Sequence, residues 1–327
     1  MKAIRQDEFG AAEVLRYAEV PDPEPGPGQV RIDVAAAGVH LIDTSVRAGL
    51  GGGPFPLPAL PMTPGREVAG TVGALGPDVD PDWRGRVVVA HLGQANGGYA
   101  ERAVAAVGSL HPVPDGLSPA EAVAMIGTGR TVMAVLEVAP PGPDDVVLVP
   151  AAAGGIGPLL VQAGRRAGAT VVGLAGGPEK VARVRALGAD VAEDYRDPGW
   201  ADRVREQVGG ATVTVLFDGV GGEVGRAALD LLAAPARVVL FGCSAGSVTA
   251  LTSADIVARS LQVTWAIGPR ILRRPGGLRP LEEAALAAAA RRELVPLVHP
   301  PFPLADAAGA HRALESRATT GKVILAP

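Results

Sequence analysis

The chain has 327 residues, of which 48% are hydrophobic and 20% charged, and its formal net charge is −4. Such a length favours two domains over one compact core, and without a basic tract the chain is not expected to bind nucleic acid or an anionic membrane surface. Its single cysteine, Cys243, excludes an internal disulfide and a zinc site made of several thiolates. The N-terminus lacks a leader-like apolar stretch, so we expect a cytoplasmic protein with no membrane-spanning segment that acts on a small molecule.

Short β-rich runs occupy residues 1 to about 120, separated by turns rich in Pro and Gly. The runs are Val30–Ala35, Val68–Val72, Arg86–Ala90 and Ala100–Val104. This alternation is typical of an irregular β-barrel. Near Ser118 the pattern changes, because Ser-Pro-Ala-Glu has the spacing of a capping box with Pro in the first turn, and a helix is predicted to open the second region.

From about residue 121 to 290, apolar strand-like runs alternate with amphipathic helical stretches. Val146–Val149 and Thr170–Leu174 are two such strands, with a helical stretch between them. Apolar strands separated by helices of about 10–15 residues indicate a parallel sheet covered on both faces, which makes 121–290 a doubly wound α/β domain. The tail, 291–327, contains one helix and a final strand and is predicted to rejoin residues 1–120 in the first domain.

The glycine-rich segment Ala151–Gly157 lies between the strand Val146–Val149 and the helix that follows it. Glycines at such a turn let the backbone approach a pyrophosphate, whose charge is met by the N-terminus of the helix. A turn that needs positive φ is the alternative explanation. The position between a strand and a helix, with a second strand at βαβ distance, favours a dinucleotide site.

The end of the second strand decides which dinucleotide is expected. An enzyme that uses NAD usually places Asp or Glu there to bind the ribose hydroxyls. Here the segment reads Leu174-Ala175-Gly176-Gly177-Pro178-Glu179-Lys180, with no acid at the strand tip and Lys180 one turn beyond it. An exposed helix face is the alternative explanation for Lys180, but the pattern favours NADPH.

Seven segments resemble, in the same order, the medium-chain dehydrogenase/reductase superfamily and within it the zinc-free NADPH:quinone oxidoreductase branch, which is zeta-crystallin-like. They are GPGQV (26–30), AAGVHLIDTSVRAG (36–49), PGREVAG (64–70), GGYAE (97–101), AAAGGIG (151–157), FDGVGG (217–222) and LESRATTGKVIL (314–325). The resemblance implies a GroES-like catalytic domain joined to a Rossmann domain. It also implies NADPH-dependent reduction of a quinone or an α,β-unsaturated carbonyl compound by hydride transfer.

The resemblance also assigns site residues, position by position. His40, Asp43 and Thr131 are the implied catalytic residues. Implied cofactor contacts are Leu41, Ile42, Asp43 and Thr131 on the nicotinamide side, Gly154, Gly155 and Ile156 at the pyrophosphate, Gly176, Gly177, Lys180, Tyr195 and Arg317 at the 2′-phosphate, Val220, and Phe241, Gly242, Cys243, Ser244, Ala245 and Gly246 near the nicotinamide ribose. The alternative explanation for Tyr195 is half-buried packing, and for Arg317 it is a cation at a helix C-terminus.

The zinc ligands of related dehydrogenases have no counterpart in this sequence. The corresponding segments read Val39-His40, Gly65-Arg66-Glu67 and Met125–Arg130, without Cys, so that only His40 is able to ligate zinc. We therefore expect no metal. The other histidines stand in turn or helix contexts and are predicted to lie at the surface: His91, His111, His299 and His311.

Three positions on the substrate side differ from the family or remain open. His40 replaces a common Asn and Ser45 replaces a frequent Tyr. Because His titrates near neutral pH, His40 is predicted to donate a proton to the enolate or quinol oxygen, whereas the alternative is a neutral hydrogen-bonding scaffold. Trp265 is predicted to form a pocket wall, or else to pack at a sheet edge, and Leu261–Ile267 is the predicted seam of a homodimer, by analogy with the family.

The sequence is also compatible with two other functions. One is an NADPH-dependent carbonyl or secondary-alcohol oxidoreductase, and the other is an NADPH-binding protein whose active site has drifted. Conjugate or quinone reduction is favoured because, without a Lewis acid, reduction of a simple carbonyl lacks its usual polarisation.

Overall fold

The computed structural model describes residues 1–50 and 56–327, and the chain forms two compact units. The first comprises Met1–Gly129, Glu282–Arg291 and Pro296–Pro327. The second comprises Arg130–Leu281 and Arg292–Val295. Within the described residues, no helix is both long enough and apolar enough to cross a membrane.

The strands are numbered in chain order. They are β1 (Lys2–Gln6), β2 (Leu15–Glu19), β3 (Gln29–Val39), β4 (Glu67–Leu75), β5 (Val87–His91), β6 (Arg102–Ala106), β7 (Leu110–Pro112), β8 (Val146–Val149), β9 (Thr170–Ala175), β10 (Val191–Asp194), β11 (Val213–Asp218), β12 (Leu232–Leu240), β13 (Leu261–Trp265), β14 (Phe302–Pro303) and β15 (Val323–Ala326).

The helices are numbered in the same way. They are α1 (Leu41–Arg47), α2 (Pro119–Val123), α3 (Arg130–Val138), α4 (Gly157–Arg166), α5 (Pro178–Ala186), α6 (Trp200–Gln207), α7 (Gly222–Leu229), α8 (Ser253–Arg259), α9 (Pro269–Leu272), α10 (Arg279–Ala290) and α11 (Ala307–Glu315). A π-helical segment, Ala124–Gly129, joins α2 to α3, and short 3₁₀ turns cover Ala12–Val14, Pro81–Trp83, Val107–Ser109 and Leu304–Asp306.

The first unit is an irregular, mainly antiparallel β structure. Its larger sheet has the order β14-β15-β3-β4-β5-β7, with β6 also paired to β3, and β1 pairs with β2 separately. Val30, Ile32 and Val34 alternate along β3 towards the core, where they pack with Ile4 and Tyr99. Two breaks in the register between β3 and β4 bend this strand, which is the effect of β-bulges.

The second unit is a parallel sheet in the order β10-β9-β8-β11-β12-β13. Every residue of Val146–Val149 is buried, as expected for a strand covered on both faces. From β8 the chain proceeds outward through β9 and β10 on one side, and then through β11, β12 and β13 on the other. This is the order of doubly wound dinucleotide-binding sheets.

The borders between the units lie at 129/130, 281/282, 291/292 and 295/296, where the sequence suggested 120/121 and 290/291. Ser118 and Glu121 do form the predicted capping box, but α2 packs against β3, β4 and β5, so that the first unit continues through the π segment. Most of α10 also belongs to the first unit, since the Glu282 carboxylate lies 3.1 Å from Nε2 of His111 on β7.

Candidate active site

The loop after β8 turns sharply before α4 begins at Gly157. Ala152 and Ala153 are buried, whereas Gly154, Gly155 and Ile156 remain half-buried. A Cβ on Gly157 would lie 2.5 Å from the carbonyl oxygen of Ala151, so only glycine fits where the loop enters the helix. The half-buried residues therefore lie directly before a helix N-terminus, the position at which dinucleotide-binding domains hold a pyrophosphate.

Parallel strand order brings the other predicted cofactor segments of this unit to one edge of the sheet. Gly176 and Gly177 follow β9, Tyr195 follows β10, Val220 follows β11, and the segment 241–246 follows β12. All of these segments thus lie at carboxyl ends of strands. The strand order reverses between β8 and β11, and ligands of doubly wound sheets bind in the crevice at that point.

A cation that sequence reasoning missed lies at the predicted 2′-phosphate loop. Arg196 pairs with Asp194 at 3.0 Å, and a Cβ on Gly177 would lie 2.5 Å from its Nη2 atom. Asp194 also accepts the Gly177 N–H at 2.8 Å, and hydrogen bonds from Arg196 hold the pKa of this carboxyl below its usual range although burial opposes them. The Tyr195 hydroxyl lies 3.0 Å from the position of a Cβ on Gly176.

Lys180 lies on the first turn of α5, partly buried, after the glycine pair. Arg196 could have been noticed in the sequence, since it directly follows Tyr195 in the DYR segment. The second unit therefore gathers Lys180, Tyr195 and Arg196 around one glycine-rich turn. Such a set of donors suits a phosphate group.

Asp218 ties the loops after β11 and β12 together. Its carboxylate is fully buried and accepts the backbone N–H groups of Val220 and Gly221 at 2.8 and 2.9 Å, together with the Thr249 hydroxyl. The Phe241 ring covers Gly219, where a Cβ would lie 2.4 Å from the ring. The predicted contact residues Val220 and Phe241 are buried, whereas Cys243, Ala245 and Gly246 are exposed and Gly242 and Ser244 half-buried.

In the first unit, α1 carries the residues predicted for the nicotinamide side. Leu41 is half-buried and Ile42 is exposed. The Asp43 carboxylate, in contrast, is buried and accepts hydrogen bonds from the His40 N–H at 2.9 Å and from the Tyr99 hydroxyl at 3.1 Å. Asp43 therefore stabilises the start of α1.

His40 lies against a buried ion pair. Its Nε2 atom is 2.7 Å from Oε1 of Glu67, and Oε2 of Glu67 is 2.7 Å from Nζ of Lys322. Glu67 is fully buried, but the charges of His40 and Lys322 outweigh the effect of burial and hold its pKa well below the usual range. His40 itself keeps 23% of its side chain exposed.

A second set of buried polar side chains, joined by hydrogen bonds, extends from Asp43. Arg47 donates to Nδ1 of His311 at 3.4 Å, and Nε2 of His311 lies 3.2 Å from the Tyr99 hydroxyl, which donates to Asp43. Burial, assisted by the charge of Arg47, lowers the pKa of His311 to about 4. His311 is therefore neutral at pH 7 with its proton on Nε2. At the outer end, Arg47 pairs with Glu315 at 2.6 Å.

The prediction that the remaining histidines lie at the surface is wrong for two of them. His311 is fully buried and His111 is 3% exposed, because each ring has polar partners inside the first unit. Those partners are distant in the sequence, so the local context of each histidine did not reveal them. His91 and His299 are half-buried.

The remaining predicted residues are divided between the units. Ser45 is half-buried on α1, and Arg317 follows α11 with a left-handed φ of 59°. Thr131 is half-buried near the start of α3. Trp265 ends the edge strand β13 and is 38% exposed. Among residues 1–50 and 56–327, no cluster of three or more His, Cys, Asp or Glu side chains is arranged to hold a metal ion.

Two family models match the chain. Residues 26–115 match the alcohol dehydrogenase GroES-like domain, and residues 155–279 match a family described as zinc-binding dehydrogenase. The matches fall on the first and second units, respectively. The predicted fold class, a GroES-like domain with a parallel-sheet Rossmann domain, is confirmed.

Whole-length similarity extends to proteins of known activity. A quinone oxidoreductase of Pseudomonas aeruginosa is 33% identical over 328 residues, covering 100% of this chain and 99% of that protein. A 2-haloacrylate reductase of a Burkholderia species is 31% identical, covering 97% and 96%. The crystal structure of Escherichia coli quinone oxidoreductase complexed with NADPH has a TM-score of 0.88 and 30% identity, with 100% of both chains covered.

Proposed function

Because this chain belongs to the quinone oxidoreductase branch of the medium-chain dehydrogenase/reductase superfamily, we propose that it reduces quinones or α,β-unsaturated carbonyl compounds with NADPH and without zinc. The observation that carries this proposal is its 33% identity, over its whole length, to a quinone oxidoreductase. The cations at the phosphate loop and the absence of a zinc-ligand pattern in the sequence support the choice of cofactor and the metal-free chemistry.

The residues of the second unit fit NADPH. Gly154, Gly155 and Ile156 hold the pyrophosphate before α4, and Lys180, Tyr195 and Arg196 bind the 2′-phosphate. Arg196 neutralises Asp194, so the acid beside the loop does not repel the phosphate. NADPH supplies the hydride when bound, and the protein contributes binding, orientation and exclusion of water.

On the first unit, His40 donates the proton that the reduced substrate needs. Its ring is partly exposed at the start of α1, next to Leu41 and Ile42. Negative charge collects on the carbonyl oxygen when the neighbouring carbon accepts a hydride, and a nearby imidazolium can neutralise it. Asp43 and Tyr99 keep α1 in position, and Ser45 on the same helix contacts the substrate. Thr131, with its hydroxyl group, and Trp265 are the second unit's candidates for substrate contact.

The metal-free part of the proposal rests on the side chains around His40. Nε2 of His40, the one imidazole at the former zinc-ligand positions, is in contact with Glu67, and Glu67 is paired with Lys322. An ammonium group so close to a cation site opposes metal binding. Activity that vanished with a chelator and returned with zinc would overturn this part.

We also propose a cytoplasmic homodimer that forms along β13. This strand is at one end of the sheet order, and its Trp265 is 38% exposed. Val257, on the adjoining α8, is 80% exposed. An apolar edge of this kind is a ready site for strand pairing. Light scattering should give twice the chain mass for the parent protein and the single mass for Trp265→Glu, whereas a monomeric parent would contradict the dimer.

Turnover of a substrate panel tests the central proposal. Purified protein is mixed with NADPH or NADH and with quinones, enones or simple ketones, and loss of reduced nicotinamide is followed by absorbance. We expect quinones or enones to be reduced with a clear preference for NADPH. Turnover of ketones alone would favour a carbonyl reductase, and tight NADPH binding without any turnover would favour a binding protein.

A further inference from the structure

The carboxylate of Glu67 occupies a space that two glycines leave open. A Cβ on Gly127 would lie 1.7 Å from Oε1 of Glu67, and one on Gly38 would lie 2.3 Å from Oε2. Neither glycine has the left-handed backbone conformation, so conformational freedom does not explain them. The carboxylate excludes a side chain at both positions, and at Gly38 a Cβ would also lie 2.7 Å from Cγ1 of Val123.

Stability alone does not account for this arrangement. Moving a carboxylate and an ammonium group out of water is costly, and a well-packed apolar pair of similar volume often stabilises a protein as much as a buried ion pair does. Glu67 is fully buried and Lys322 is 3% exposed. Buried charges that face one partly exposed titratable group are instead common at functional sites.

Both charges of this cluster face the same nitrogen of His40. Nε2 lies 2.7 Å from Oε1 of Glu67, which accepts a proton from the imidazolium form of the ring. Nζ of Lys322 can only donate, and it lies 2.7 Å from Glu67 and 3.1 Å from Nε2 of His40. His40 therefore has a negative and a positive charge on the same side.

We propose that Glu67 and Lys322 are positioning residues that set the charge of His40 from opposite directions. Glu67 stabilises the imidazolium form, and Lys322 offsets this effect, so that His40 can lose and regain a proton in each turnover. This inference rests on the proposed function. After hydride reaches the substrate, an N–H bond of the His40 imidazolium breaks, an O–H bond forms on the carbonyl oxygen, and solvent returns a proton to the imidazole.

The other polar groups around this cluster have assigned partners. Asp43, on α1, is bound to the His40 backbone and to Tyr99, and its carboxylate lies 3.7 Å from Nε of Arg66. His91, at the end of β5, contributes to lowering the pKa of Glu67. Gly127, on the π segment, brings only backbone near the ring. Glu67 and Lys322 are thus the charges in direct contact with the His40 ring.

Paired substitutions test the inference without any need for activity. The chain has five histidines, so His40 can be identified by the NMR signal that disappears in His40→Asn. We expect the titration midpoint of the His40 ring to fall by about one pH unit in Glu67→Gln and to rise by about one unit in Lys322→Met. The control Lys322→Arg, which keeps the positive charge, should have the same midpoint as the parent protein. Shifts in the same direction, or none, would overturn the inference.

Two further measurements keep the test decisive. If a variant does not fold, ¹⁵N shifts of the His40 ring in the parent protein still report its charge, and a ring that keeps one charge state from about pH 5 to 9 would overturn the inference. In kinetic measurements, the pH–rate profile of each variant should shift together with the titration midpoint of His40. The same substitutions should not shift the profile when they are combined with His40→Asn. Opposite NMR shifts with an unmoved rate profile would uphold the positioning role and reject proton donation. No turnover with any quinone or enone would reject the proposed function while the NMR result still decides the inference.

Discussion

The two units place their charged groups in opposite ways. In the second unit the charged pair Asp194 and Arg196 lies at the end of β10, at an accessible edge of the sheet. In the first unit Glu67, Tyr99 and His311 are enclosed in the interior. The loops of the second unit depend on backbone shape, whereas the polar chains of the first depend on complete pairing of buried charges. Substitutions at the exposed phosphate loop should therefore reduce affinity, whereas substitutions at the buried clusters of the first unit should reduce folding stability.

The largest effect is expected from Gly127→Ala. The new Cβ would overlap the Glu67 carboxylate and force it away from its partners, and breaking a buried ion pair costs about 3–5 kcal/mol. Urea denaturation measures the loss. Gly108→Ala is the matched control because a Cβ there meets nothing within 4 Å. Equal stability of the two variants would show that the cluster around Glu67 tolerates displacement.

Acid should destabilise the protein through His311. Its pKa is about 4 in the folded state, below the usual value of 6.5 for histidine, so the unfolded chain binds the proton first as the pH falls. The contribution of His311 to stability is complete above pH 6.5 and is lost progressively towards pH 4, by about 2 kcal/mol between pH 7 and 5.

The stability of His311→Gln should depend less on pH across this interval than that of the parent. His299→Gln, a change at a half-buried ring, serves as the control and should retain the parent slope. Denaturant unfolding at several pH values gives both slopes. Identical slopes for His311→Gln and the parent would contradict a neutral buried imidazole.

An intermediate loss of stability is expected at Asp218, whose buried carboxylate joins two loops of the second unit. Thr249→Val removes the hydroxyl that donates to Asp218 and leaves a buried oxygen with one partner fewer, at a cost of about 1–2 kcal/mol. Thermal unfolding measures the change. Because Asp218 holds the loops after β11 and β12, the NADPH dissociation constant should rise as well; an unchanged constant would confine Thr249 to stability.

The smallest effect is expected at the exposed phosphate loop, and it concerns affinity alone. Arg196→Ala should raise the Michaelis constant for NADPH about tenfold, as should Lys180→Ala, with little change for NADH, since only NADPH carries the 2′-phosphate. Unfolding free energy should stay at the parent value. Arg205→Ala, on the exposed face of α6, is the control. Equal effects on both cofactors would argue against phosphate recognition by either residue.

The contrast between the units also explains how far the sequence could predict the structure. The strand Val146–Val149 has the predicted limits, and the glycine loop precedes α4 as expected, because both follow from local patterns. In the first unit the limits are looser. β3 extends to Val39 where the sequence suggested Ala35, and β6 begins at Arg102 where it suggested Ala100.

The candidate site divides in the same way. His40 could be recognised as unusual because it replaces a common Asn within one short segment. Glu67 and Lys322 were not predicted as its partners, since Lys322 is 282 positions away from His40 in the sequence. His111 and His311 were expected at the surface for the same reason. A charge whose partner is distant in sequence leaves no periodic signal, and only the folded barrel brings the two together.

Tyr99 is a reporter of the opening of the first unit, because it lies inside the hydrogen-bonded series that extends from Arg47 through His311 to Asp43. Burial and the Asp43 carboxylate raise the pKa of Tyr99 far above its usual value. The chain has three tyrosines, and the phenolate absorbance of Tyr99 should appear at alkaline pH only when the first unit opens. Ultraviolet absorbance can therefore time the opening of this unit separately from the second.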